Sequence, residues 1–152
     1  MSKLIETGSK AKAFTLKDQD DRECRLSDLT GKKVLLSFHP LAWTSVCAEQ
    51  MKSLEANKEA FDRLNTVALG LSVDTVPSKN AWAKELGIHN TRLLSDFWPH
   101  GKIAKAYGIF REANGFSERA NLILDEKQRV VFVKVYPIRE LPDIAEILKA
   151  LA

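Results

Sequence analysis

Apolar residues fall into two rhythms along this chain: short runs where nearly every residue is apolar, and longer stretches where they return every three or four positions. VLLSFH (34–39) and TVALGLSV (66–73) belong to the first kind and read as buried strands. The first halts at Pro40, which cannot donate to a sheet ladder. Between them Cys47, Met51, Leu54, Phe61 and Leu64 keep helical spacing, with Glu49, Lys52, Glu55, Lys58, Glu59 and Arg63 on the other face. That pattern predicts one amphipathic helix. A second helix runs through Trp82 and Leu86, with Pro77 near its start and Gly87 at its end.

Shorter signals fill in the rest. AKAFTLKDQDDRECRLSDL reads as two extended pieces around a polar turn at 18–21, with Phe14 and Leu16 alternating before it and Cys24 and Leu26 after it. RLLSD (92–96) is a short strand or turn, and GKIAKAY (101–107) a short helix stopped by Gly108. ANLILD (120–125) and RVVFVKVY (129–136) suit an antiparallel hairpin joined by Glu126, Lys127 and Gln128. LPDIAEILKALA closes the chain as an amphipathic helix entered at Pro142. Strands alternating with helices predict an α/β fold with a central mixed sheet covered on both faces and an N-terminal β-hairpin. The 152 residues are expected to form one domain, 1–152, with no linker or repeat.

Composition narrows the partners. The chain is 45% hydrophobic and 28% charged, and its 23 basic and 20 acidic residues are scattered, for a net charge of +3. No basic block marks a nucleic-acid surface, and no apolar run approaches the roughly 20 residues that span a bilayer. The N-terminal stretch MSKLIETGSKAKAF has no apolar core of a secretory signal, so a cytoplasmic location is expected. The two cysteines, Cys24 and Cys47, form no CxxC, and a reducing compartment disfavours a disulfide between them. His39, His89 and His100 stand apart, so neither a metal nor a cofactor is expected.

Candidate chemistry concentrates in HPLAWTSVCAEQM (39–51), where a strand ends at a proline, a loop follows, and a cysteine enters the first turn of a helix. Free N–H groups and the positive end of the helix dipole stabilise a thiolate. Such sites bring a cysteine from a pKa of about 8.5 into a range of roughly 3.5 to 7.5. Thr44 is placed to set its hydroxyl beside the sulfur and to act as N-cap, and Pro40 to shield the sulfur and fix the loop. Position alone leaves open a second reading, in which Cys47 is a small apolar residue packed in line with Met51 and Leu54.

Pro40 to Cys47, PLAWTSVC, resembles the PxxxTxxC motif of the peroxiredoxins. SVDTVPSKNAWAKELGI and LLSDFWPHGKIAKAYGIF extend the likeness, which is to the one-cysteine alkyl hydroperoxide reductase E type and covers most of residues 10–136. The resemblance implies a thioredoxin-like fold and a thiol-dependent peroxidase. In it Cys47 attacks hydrogen peroxide, an organic hydroperoxide or peroxynitrite and becomes a sulfenic acid. It further implies that Pro40 and Thr44 build the active-site loop. Arg119, in SERANLILD, matches the arginine that packs beside the cysteine and holds a peroxide oxygen. Val46 is expected to add a backbone N–H there.

Gln50 stands where the family often has Glu, and His39 where an aromatic residue is common; both are kept with Trp43 as substrate-side candidates. His39 either polarises the site or is a core histidine with a satisfied hydrogen bond. Trp43, Phe97 and Trp98 are expected in pocket wall and dimer packing, with a homodimer as the assembly. No cysteine occupies a family resolving position, and Cys24 in the hairpin reads as structural, with a resolving role as the alternative. The expected reductant is then external: a low-molecular-weight thiol, a glutaredoxin-like protein or thioredoxin. A peroxide-sensing redox module is the competing function, and a disulfide reductase ranks low for want of CxxC.

Overall fold

The computed structural model describes residues 3–152. An N-terminal hairpin pairs β1 (Thr15–Lys17) with β2 (Glu23–Arg25), and Leu16 sits opposite Cys24. After β3 (Lys33–Phe38), helices α1 (Ser45–Ala56) and α2 (Lys58–Arg63) lead to β4 (Thr66–Ser72), which lies parallel to β3. Helix α3 (Val76–Leu86) crosses to β5 (Arg92–Ser95), again parallel. Then follow α4 (Lys102–Ala106), a small ribbon of β6 (Phe110–Arg111) and β7 (Phe116–Ser117), the hairpin β8 (Arg119–Leu124) and β9 (Val130–Tyr136), and α5 (Ile144–Leu151). The main sheet has seven strands in the order β2-β1-β5-β4-β3-β8-β9. It is mixed, as the alternation of strands and helices predicts.

Alternation along β3 sends its neighbours to opposite faces. Val34, Leu36 and Phe38 face a core shared with Leu71, Leu122, Tyr107 of the α4 end and Cys24 of the hairpin. Leu35 faces the other core, with Cys47, Met51, Phe61, Trp82 and Ile147 from the helices. The two cysteines therefore belong to opposite faces. Residues β2 and β3 also stand four places apart in the sheet. At about 4.8 Å per strand the separation is roughly 19 Å.

One predicted helix is two. Asn57 leaves helical geometry at φ −106 and ψ 18, and its side chain donates to Ser53 O at 2.8 Å, which closes α1 and restarts the chain as α2. Apolar spacing carries through the break because Phe61 still reaches the same core. The β6–β7 ribbon was not expected, since two-residue strands leave no periodicity to read.

Gly70 lets α1 approach the sheet. A Cβ there would collide with Met51 Sδ and meet Leu93 Cδ2 at 3.0 Å, in fully buried surroundings. Gly70→Ala is expected to destabilise the protein by about 1–3 kcal/mol, the usual effect of overpacking. An unchanged urea midpoint and slope would contradict this account of the contact.

Candidate active site

Pairing of β3 with β8 sets the site's position. Phe38 lies opposite Ala120, so Arg119 opens β8 where β3 gives way to His39 and Pro40. His39 N–H still donates to Leu71 O at 3.0 Å, but Pro40 has no donor and the ladder stops. The following loop is pinned onto the start of α3. Ala42 N–H donates to Asp74 Oδ2 at 2.8 Å, the oxygen that also accepts from Ser72 Oγ at 2.6 Å. Trp43 turns the loop at φ 71, and its indole N–H donates to Ser78 Oγ at 3.0 Å.

Thr44 is the N-cap residue of α1 by backbone, as expected, but its hydroxyl does not cap. It donates to Leu41 O at 2.9 Å, so the side chain closes the loop on itself. The first helical bond runs from Ala48 N–H to Thr44 O at 2.9 Å. The N–H groups of Ser45, Val46 and Cys47 lie ahead of that ladder, at the positive end of the helix.

Cys47 is fully buried, and its sulfur accepts from Arg119 Nη1 at 3.3 Å. The same nitrogen donates to Gln50 Oε1 at 2.7 Å. Arg119 Nε and Nη2 both donate to Ile138 O, at 2.9 and 2.7 Å, and fix the guanidinium plane. Gln50 is oriented in turn: its amide nitrogen donates to Ser37 Oγ at 2.7 Å and Phe38 O at 3.1 Å, leaving its oxygen to face the arginine. The guanidinium thus sets a charged donor at the sulfur, and such a fork can hold negative charge on an oxygen.

A pocket of about 260 Å³ opens beside Arg119, and Cys47 itself does not line it. Pro40, Thr44, Val46 and Arg119 line it with Leu41, Phe116, Ile138 and Arg139. Four sequence candidates thus gather at one opening, and Cys47 is joined to it through Arg119. Trp43 does not line the pocket, its indole being bonded instead to Ser78 of α3. Gln50 is buried behind Arg119 and holds it, with no face on the pocket. His39 is buried, and neither ring nitrogen has a hydrogen-bond partner among the described residues, so the satisfied core histidine expected as one reading is not what is found. Burial first, and then the Lys79 ammonium, holds this imidazole well below its usual range and keeps it neutral. Asp74, Ile138 and Lys79 were missed by sequence reasoning. An acid or a backbone carbonyl far along the chain carries no local signal of its target.

Cys24 is also buried, and its burial pushes the thiol up, away from the thiolate. It packs on the far face of the sheet, and direct bonding to Cys47 would need Cα atoms brought within about 7 Å.

The description "AhpC/TSA family" matches residues 7–133 of this sequence. The chain belongs to that family. Alkyl hydroperoxide reductase E of Mycobacterium tuberculosis is 35% identical over 141 residues, 92% of either chain. The thiol peroxidase of Streptococcus gordonii is 33% identical over 132 residues, 87% of this chain and 79% of its own. Among solved structures, reduced Plasmodium vivax 2-Cys peroxiredoxin superposes with a TM-score of 0.86 at 31% identity, covering 95% of this chain and 79% of its own. Peroxidoxin BcpB of Mycobacterium tuberculosis superposes at 0.84 with 24% identity, covering 97% and 96%, and shares the fold. The fold is thus thioredoxin-like, and this AhpC/TSA protein is an enzyme, a thiol-dependent peroxidase.

Replacing the buried amide that aims the arginine tests the geometry. Gln50→Met leaves Ser37 Oγ and one guanidinium hydrogen without their partner, and is expected to lower stability by about 1–3 kcal/mol. Equilibrium unfolding in urea reads the difference, and a neutral result would mean that water reaches these groups.

Proposed function

We propose that Cys47 is the peroxidatic nucleophile and that it works without a second cysteine of its own chain. The observation that carries this reading is the bond to Cys47 Sγ, at 3.3 Å, from Nη1 of Arg119, which lines a pocket with Pro40, Thr44 and Val46. The thiolate sulfur attacks the distal oxygen of the peroxide, an S–O bond forms and the O–O bond breaks. The bond pair leaves with the proximal oxygen, which takes a proton from solvent and departs as water or an alcohol. The sulfur is oxidised by two electrons to the sulfenic acid and the peroxide is reduced. Arg119 and the N–H groups of Val46 and Cys47 stabilise the negative charge on the oxygens as it moves. Thr44, its own proton committed to Leu41 O, offers the incoming peroxide an acceptor.

The apolar wall of Leu41, Val46, Phe116 and Ile138 favours organic hydroperoxides beside hydrogen peroxide, with peroxynitrite as a further substrate. Arg139 at the rim adds a positive charge. An external thiol returns the sulfenic acid to the thiol: a low-molecular-weight thiol, a glutaredoxin-like protein or thioredoxin. The position of Cys24 on the opposite face supports this one-cysteine reading over a resolving role. A cytoplasmic setting, which keeps thiols reduced, goes with it. We further propose a homodimer. Trp98 is 80% exposed and Phe97 44%, and Phe97 shares a shallow groove with Leu41 and Phe116 beside the pocket. Apolar surface of that kind is a protein–protein contact in search of its other half.

Intact mass after one equivalent of hydrogen peroxide and a sulfenic-acid trap tests the chemistry. Wild type and Cys24→Ser are expected to carry one adduct, Cys47→Ser none, and Arg119→Met to react about a hundredfold more slowly. A wild-type rate no better than a free thiol sinks the peroxidase role of Cys47, and a Cys24–Cys47 disulfide sinks the one-cysteine mechanism. Sedimentation velocity is expected to give a dimer that Trp98→Glu weakens; a wild-type monomer at high micromolar concentration refutes the assembly.

A further inference from the structure

Lys79 has no part in the chemistry above, and its placement is hard to account for as structure alone. It lies in the first turns of α3, where its side chain is fully buried. Its ammonium nitrogen has no hydrogen-bond partner among the described residues. Trp82, three residues on, packs in the core that holds Cys47 and Met51, and its ring lies 5.5 Å from that of His39. The lysine also acts through its charge on His39, whose two ring nitrogens are likewise without partners among the described residues.

The charged and titratable groups that act on this ammonium come from every neighbouring element: Asp74 after β4, Cys47 on α1, Asp96 after β5 and His39 after β3. Both carboxylates are already engaged. Asp74 holds Ala42 N–H and Ser72 Oγ, and Asp96 accepts from Ile103 N and Ala104 N at 3.0 Å each. Neither forms an ion pair with Lys79. A buried charge left unpaired weakens a fold, and an apolar side chain of similar length would serve packing better. Its field, however, is little screened in such surroundings, and the ammonium and the Cys47 thiol act on one another through it.

We propose that Lys79 is a positioning residue for the peroxidatic cysteine: its buried ammonium favours the thiolate of Cys47 through space, as a second cation complementing Arg119. Burial brings this lysine down to about 7, while Asp74, Cys47 and Asp96 pull it back up. The support therefore operates below about pH 7 and fades above it, as the ammonium loses its proton. Stability carries the opposite signature. The unfolded lysine keeps its proton up to about 10.5, so the cost of burying the charge is present in full below about 7 and is relieved as pH rises between the two values.

The inference rests on Cys47 being the reacting thiol, and its test is built to separate the two ideas. Lys79→Met and Lys79→Gln are compared with wild type for the rate of Cys47 sulfenic acid formation across pH, and for urea stability across the same range. The expected result is a rate about tenfold lower than wild type below neutrality, converging with it at alkaline pH. Lys79→Met is expected to be at least as stable as wild type at low pH, with its advantage shrinking as pH rises. Equal rates at every pH, a uniform loss at every pH, or a variant that does not fold would each assign Lys79 to structure and overturn the proposal. A second measurement leaves the lysine in place: side-chain carbon NMR is expected to show Lys79 titrating at lower pH in Cys47→Ala than in wild type. An identical titration refutes the coupling. A wild-type protein that forms no sulfenic acid sinks the peroxidase role of Cys47, while the NMR comparison still judges the field between the two groups.

Discussion

Arg119 is 2% exposed, so its guanidinium donors need acceptors that bulk water cannot supply. Ile138 O takes two of its hydrogen bonds, Gln50 Oε1 takes one, and the Cys47 sulfur takes another. Each acceptor depends on something else in the fold. Ile138 lies just after β9, Gln50 and Cys47 sit one turn apart on α1, and Gln50 is itself held by Ser37 and Phe38 of β3. Satisfying one buried guanidinium thus ties the end of a hairpin, the start of a helix and the central strand into a single arrangement. The sulfur receives its donor as part of that arrangement, which is why the chemistry needs no flexible reach across the pocket.

The two thiols of the chain sit in different surroundings. Both are buried, but Cys47 meets a cation and a helix N-terminus, whereas Cys24 faces Leu26 and Leu36 in an apolar core. Burial in that apolar core favours the protonated thiol of Cys24. The sheet separates them, since alternation along β3 and the pairing of Leu16 with Cys24 assign them to opposite faces. The loop from Pro40 to Thr44 obeys a similar division. Asp74, just before α3, and Ser78 of α3 hold it, and Leu41 O holds the Thr44 hydroxyl, so the loop is braced from behind.

Much of this was legible in the sequence wherever the cause is local. Runs of apolar residues at 34–39 and 66–73 specify strands because burial on both faces demands them. Helical spacing from Cys47 onward specifies a helix with its apolar face on the sheet, and PxxxTxxC with Arg119 marks the site through a family likeness. The chain by itself determined the α/β architecture and the helix-terminal position of Cys47, and it pointed to four of the pocket's lining residues, Pro40, Thr44, Val46 and Arg119. Tertiary structure alone decided what depends on partners far apart. Arg119 meets Cys47 across 72 residues and Asp74 meets Ala42 across 32, separations at which no period links the two positions. It decided that Gln50 faces the arginine and not the substrate, that Thr44 bonds to Leu41 and not to its helix, and that Lys79 is buried unpaired. Spacing of 2 or 3.6 residues tells which face of an element is buried. Which polar group waits on that face is set only when the sheet, its register and its covering helices are packed together.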